Sequence, residues 1–146
     1  MPRIERSATV TWEGNLARGT GKISGDTGAF TELPFSLPTR IGKAEGRTSP
    51  EELLASAHGG CLTMGLAGEL TQNGTPPTRL DTSCLVVMDE LEGAGHQIVA
   101  SHIRVRVDAD GVDAQTLATL LEQADASCPF STLLRNAGVE VDIQLA

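Results

Sequence analysis

Between Ser49 and Asn73 the sequence contains a single long helix that is apolar on most of its faces, and that segment limits the possible folds more than any other. Its start is marked by Ser49 as an N-cap, Pro50 at the first helical position and Glu52 three residues on, which completes a capping box. Leu53, Leu54, Ala55, Ala57, Leu62, Met64, Leu66, Ala67 and Leu70 leave little polar surface after the opening turn. Asn73-Gly74 and then Pro76-Pro77 end the helix, so it runs to about Leu70 or Asn73. A helix apolar nearly all round must be covered on all sides, either at the centre of the fold or at a subunit contact.

Shorter elements surround it. Residues 7–12, 17–24 and 28–33 read as a meander of strands separated by glycines, and residues 38–49 as a long loop rich in Pro, Gly and charge. Residues 80–91 and 96–109 form a hairpin around Glu92-Gly-Ala-Gly95, in which Ile103, Val105 and Val107 alternate with Arg104 and Arg106. Asp113 caps a second helix, Ser127-Cys128-Pro129 opens a third, and residues 139–145 close the chain as a strand. The order predicts an α+β fold, and 146 residues fit one domain, 1–146.

Composition excludes several functions. With 11 basic against 19 acidic side chains, a formal charge of −8 and 3% aromatic residues, the chain lacks the basic footprint and stacking rings of a nucleic-acid binder. No run approaches the ~18 apolar residues of a membrane span, and Met1-Pro-Arg-Ile-Glu-Arg-Ser7 has no apolar signal region, so the expected location is the cytoplasm. Three cysteines are too few, and odd in number, for a secreted disulfide scaffold.

Two of those thiols carry the candidate chemistry. Cys128 stands at or beside a helix N-cap, where unpaired N–H groups and the helix dipole favour a thiolate. Cys61 is mid-helix and needs an activating group from elsewhere. His58, at i−3, shares its face and could be that partner, or could equally be a core or interface histidine. Glu51 lies ten residues before Cys61, about 15 Å along the axis, and could reach only the Cys61 of a twofold-related copy. Arg40, in the loop before the helix, is a cation suited to stabilising a thiolate, while Cys84, within a strand, reads as core packing. A zinc site from Cys61, Cys128 and His58 falls short of four ligands and lacks a short Cys-x-x-Cys, so neither metal nor cofactor is expected. A Cys-His-Glu hydrolase would need an oxyanion hole that mid-helix Cys61 lacks. Non-enzymatic binding of an acyl chain in a dimer cavity remains an alternative to thiol chemistry.

Four stretches, Thr11-Trp-Glu-Gly-Asn-Leu-Ala-Arg-Gly-Thr-Gly21, Pro38-Thr-Arg-Ile41, Thr48-Ser-Pro-Glu-Glu-Leu-Leu-Ala-Ser-Ala-His-Gly-Gly-Cys-Leu-Thr-Met64 and Ser127-Cys-Pro-Phe-Ser131, resemble the OsmC/Ohr family. These are the osmotically inducible protein C and organic hydroperoxide resistance proteins, and the OsmC branch is the nearer. The resemblance covers essentially the whole chain. It implies antiparallel sheets around a long buried central helix, an intertwined homodimer with active sites at the interface, and a thiol peroxidase that uses a small dithiol, such as a lipoyl group, as reductant. Carried over, Cys61 is the peroxidatic and Cys128 the resolving cysteine, with Arg40 and Glu51 holding Cys61 ionised. Arg18 is the second choice for the arginine, because the Ohr branch takes it from the N-terminal meander. Leu53, Leu54, Leu62, Met64 and Phe130 are expected to form an apolar entrance for alkyl or lipid hydroperoxides. Gly59 and Gly60 stand where alanines are more usual, which loosens the helix by roughly 1 kcal/mol per glycine.

Overall fold

The structure, a computed structural model, describes residues 2–146. The chain divides into two compact units that meet in sequence at Pro50 and Glu51.

In the first unit, β1 (Ala8–Glu13), β2 (Thr20–Gly25) and β3 (Leu33–Phe35) form an antiparallel meander in the order β1-β2-β3. Trp12 and Phe35 pack as a tilted ring pair with centroids 5.6 Å apart. Both rings lie over Gly21, where any Cβ would collide with them, so the glycine in this strand is required by close approach. Part of the segment read as loop is helical: α1 spans Leu37–Ile41 and carries Arg40 in its last turn. Ser36 caps it, accepting the Thr39 N–H at 3.3 Å, and Pro38 falls in the first turn, where its missing N–H costs nothing. A single turn of five residues leaves too little periodicity to stand out from a Pro- and Gly-rich context.

The second unit begins with α2 (Pro50–Gln72). Then come β4 (Arg79–Leu91), β5 (Gly95–Asp108), α3 (Ala114–Ser127), α4 (Pro129–Asn136) and β6 (Glu140–Leu145). β4 and β5 pair antiparallel with Cys84 opposite Ile103, and a bulge falls between Val87 and Met88. β6 departs from the antiparallel expectation. It pairs parallel with β5, from Ala100 opposite Glu140 to Val105 opposite Leu145. The two intervening helices provide the long crossover that a parallel return requires. Asp113 caps α3 as expected, its side chain accepting the Thr116 N–H at 2.7 Å.

The core of this unit joins Leu62, Leu66 and Leu70 of α2 to Ile103 and Val105 of β5 and to Leu120, Leu121 and Ala124 of α3. The three leucines are spaced by four residues and form one stripe. Each is fully buried, worth roughly 1.5–3 kcal/mol relative to exposure. The rest of the apolar circumference is not covered within one chain, since Met64 is 76% exposed. Along that uncovered side runs a groove of about 660 Å³, lined by Gly59, Gly60, Thr63, Met64, Thr82 and Cys84 among others. Full burial, expected from the sequence, is thus limited to one stripe of α2 in the single chain.

Candidate active site

Cys128 is shared by two helices. Its N–H donates to Asp125 O at 3.1 Å and so closes α3, while its carbonyl accepts the Thr132 N–H at 3.1 Å and so opens α4. The thiol is buried and makes no cap hydrogen bond of its own. Pro129 follows at the first helical position and has no N–H to offer. The first amide available beyond the cap is that of Phe130, and it faces the sulfur of Cys61, whose ionised form it favours. The Cys61 sulfur also lies beside the Cys128 thiol, and both cysteines are free. Residues 61 and 128 are thus brought together where α2 meets the start of α4.

Local reading places Cys128 at the favourable end of α4, and its side chain makes no cap hydrogen bond there, while the Phe130 N–H of that first turn faces Cys61. This contact does not suffice to ionise Cys61. Burial pushes its pKa up, the adjacent Cys128 thiol adds to the rise, and the Phe130 N–H only partly offsets them. A half-buried thiol held in its neutral form reacts as a thiolate when a positive charge is supplied.

His58, one turn before Cys61, is fully buried and both its ring nitrogens are occupied. Nδ1 lies 2.7 Å from Ser101 Oγ and Nε2 lies 2.8 Å from Ser131 Oγ. The core reading of this histidine therefore holds, and the ring has no nitrogen left to act as a base on Cys61. Burial lowers its pKa, with nearby Asp125 opposing the shift and Arg135 reinforcing it. The unfolded chain binds this proton more readily than the folded one, so stability is fully retained above the ordinary histidine value of about 6.5 and is lost as pH falls below it. Chemical denaturation between pH 7.5 and 5 is expected to show a decline of at most about 1.4 kcal/mol per pH unit from this residue. His58→Gln is expected to flatten it.

The other predicted residues come from both units, and each is placed within its own. Glu51 stands in the first turn of α2, and the helix is unbroken from there to Cys61, so the separation of about 15 Å within one chain stands. Leu53, Leu54 and Phe130 are half-buried. Leu62 is in the core and so does not belong to an entrance at Cys61, while Met64 is exposed and lines the groove. Thr63 and Glu52 of that groove lie about half a helical turn round α2 from Cys61. Arg40 is exposed and borders a small pocket with Trp12, Leu16 and Phe35, and Arg18 is exposed in the β1–β2 connection. Cys84 is half-buried against the core, with its sulfur 3.4 Å from Ser101 Oγ.

Sequence reasoning missed Ser101, Ser131, Asp125 and Arg135. Arg135 grips Asp125 with two hydrogen bonds, 2.9 and 2.6 Å, clamping α3 to α4 across Cys128. A serine within the apolar run Ile98-Val-Ala-Ser-His-Ile103 could have signalled a buried hydroxyl needing a partner. Nothing local marks the Arg135 pair. Among the described residues no group of three or more His, Cys, Asp or Glu side chains is placed to hold a metal ion, and no helix is long and apolar enough to cross a membrane.

Residues 42–144 match the model of the family described as OsmC-like protein. The chain belongs to the OsmC-like family. Its relatives include the peroxiredoxin OsmC of Escherichia coli strain K12, 34% identical over 97% of each chain. Another is the organic hydroperoxide resistance protein of Xanthomonas axonopodis pv. citri, 28% identical over 79% of each. Among solved structures, an OsmC-like protein of unknown function from Vibrio cholerae superposes with a TM-score of 0.80 at 16% identity, covering 99% of this chain and 100% of the other. The α+β fold with two three-stranded sheets is therefore that of the OsmC-like family.

Proposed function

We propose that this OsmC-like protein is a cysteine-based peroxidase that reduces organic hydroperoxides to alcohols in defence against oxidative stress. The observation that carries the reading is the contact between the Cys61 and Cys128 thiols, from separate helices, beside a helix N-terminal amide. The names of its relatives, a peroxiredoxin and an organic hydroperoxide resistance protein, support the same reaction class.

The Cys61 thiolate attacks one peroxide oxygen, the O–O bond breaks, and the departing alkoxide takes a proton to leave as the alcohol. The sulfur is left as a sulfenic acid. The Cys128 thiol then displaces that hydroxyl, forming the disulfide and releasing water. A small dithiol returns both cysteines to the reduced state by two exchange steps and leaves as its own disulfide. The charge that Cys61 requires comes, in this reading, from Arg40, with Arg18 the second candidate, and Glu51 holds the arginine. Leu53, Leu54 and Phe130 provide apolar contact for an alkyl or lipid chain.

The working unit is a homodimer in the cytoplasm, where reduced thiols persist. In support, α2 is apolar on most faces yet has one buried stripe, and Met64 and Leu85 are 76% and 61% exposed. The test is the rate at which the reduced protein, supplied with a dithiol, consumes cumene hydroperoxide and hydrogen peroxide. A second-order rate about tenfold or more in favour of the organic peroxide is expected, since burying a few extra methylenes contributes about 0.8 kcal/mol each. Equal rates would remove the basis for an apolar substrate. Consumption of neither would turn the reading towards an acyl-type ligand bound without chemistry.

A further inference from the structure

The thiol contacts leave one buried group unused, the imidazole of His58. His58 and Cys61 project from adjacent turns of α2, and both meet the first turn of α4. Cys61 faces the Phe130 N–H, and His58 Nε2 meets Ser131 Oγ, one residue later, at 2.8 Å. On its other side, Nδ1 is anchored to Ser101 Oγ of β5 at 2.7 Å. His58, Ser101 and Ser131 are each 0% exposed, and among the described residues no buried side-chain nitrogen or oxygen is left without a partner. One nitrogen of a neutral ring donates and the other accepts, and each hydroxyl can take the complementary role. The ring therefore links α2, β5 and α4 through directional bonds, in addition to the Arg135–Asp125 clamp that ties α4 to α3.

We propose that His58 is a positioning residue of the thiol site: through Ser131 it fixes the first turn of α4 so that the Phe130 amide stays on the Cys61 sulfur. The proposal rests on Cys61 being the reactive thiol. A hydrogen bond from an amide loses strength steeply with misalignment, so a small rotation of α4 suffices to withdraw it. Any group that must stabilise a developing thiolate has to be held by its supporting shell, and here the part of that shell reaching α2 is one imidazole and two serines.

The side-chain amides of Asn and Gln separate the two ring nitrogens. Asn reaches about as far as Nδ1, and so retains the bond to Ser101 alone. Gln reaches about as far as Nε2, and so retains the bond to Ser131. The readout is the pH dependence of iodoacetamide alkylation at Cys61, followed by mass spectrometry of the Cys61 peptide in His58→Asn, His58→Gln and Ser131→Ala proteins. The other groups acting on this region, Cys128 on Cys61 and Asp125 and Arg135 on His58, are unchanged in all of them.

Both His58→Asn and Ser131→Ala should slow alkylation near pH 7 by about three- to tenfold, with the apparent pKa raised by roughly half a unit to one unit. His58→Gln should remain close to wild type. A Cys61 profile unchanged in Ser131→Ala would overturn the proposal, as would His58→Gln being as impaired as His58→Asn. Should His58→Asn fail to fold, the smaller Ser131→Ala change decides the matter alone. Alkylation needs no peroxide, so the result stands whether or not the protein proves to be a peroxidase.

Discussion

Replacing Cys61 by serine should remove peroxide consumption, lowering the rate by about a thousandfold or more, because a hydroxyl near neutral pH offers almost no anion to attack the O–O bond. Cys128→Ser should behave differently. Its Cys61 still attacks, so one equivalent of peroxide per chain disappears in a rapid first phase and turnover then stops. Mass spectrometry of that protein should find Cys61 about 16 Da heavier, or trapped by a sulfenic-acid reagent, with no disulfide. The contrast follows from the surroundings of Cys61: the Cys128 thiol lies beside it, and the Phe130 amide at the start of α4 favours its ionised form. If Cys61→Ser retained activity and Cys128→Ser lost the first turnover, the two roles would have to be exchanged.

The second large effect concerns Glu51. Its position in the first turn of an unbroken helix keeps it about 15 Å along the axis from its own Cys61, so direct contact with a Cys61 would require a second copy. A mixed dimer with Glu51→Ala on one chain and Cys61→Ser on the other discriminates sharply. Action in trans leaves one site with both residues, and about half the wild-type activity is expected. Action in cis leaves no site with both, and the activity should fall to about half that of the Glu51→Ala homodimer, which is itself expected to be lower by about a hundredfold, the scale for removing one electrostatic stabiliser. Size-exclusion measurements on the same samples check that the mixed dimer forms at all.

How far the fold and the site could be read in advance depended on sequence distance. The limits of α2 were written locally by Ser49, Pro50 and Asn73-Gly74, and the β4–β5 hairpin by its alternation and by a turn whose Gly93 and Gly95 adopt positive φ. Asp113 at the start of α3 and Cys128 at the start of α4 were legible for the same reason. α1 was hidden by its brevity, and the parallel return of β6 could not be read because strand direction depends on how α3 and α4 cross the sheet. Leu62 was assigned to an entrance by proximity in sequence, and helical rotation instead sends it into the core.

The site divides along the same line. By itself the sequence determined which chemistry was available: one thiol within a rigid helix, a second at a helix start followed by proline, and a histidine one turn away. Those assignments rest on capping and periodicity, which act over a few residues and are the same in any fold. Only the tertiary structure decided that the Phe130 amide serves Cys61, that His58 is spent between Ser101 and Ser131, and that Arg135 clamps Asp125 beside Cys128. Each of these requires groups far apart in sequence to align within a few tenths of an ångström. That alignment is set by how the leucine stripe of α2 packs against β5 and α3, a many-body property of the core that no local pattern encodes.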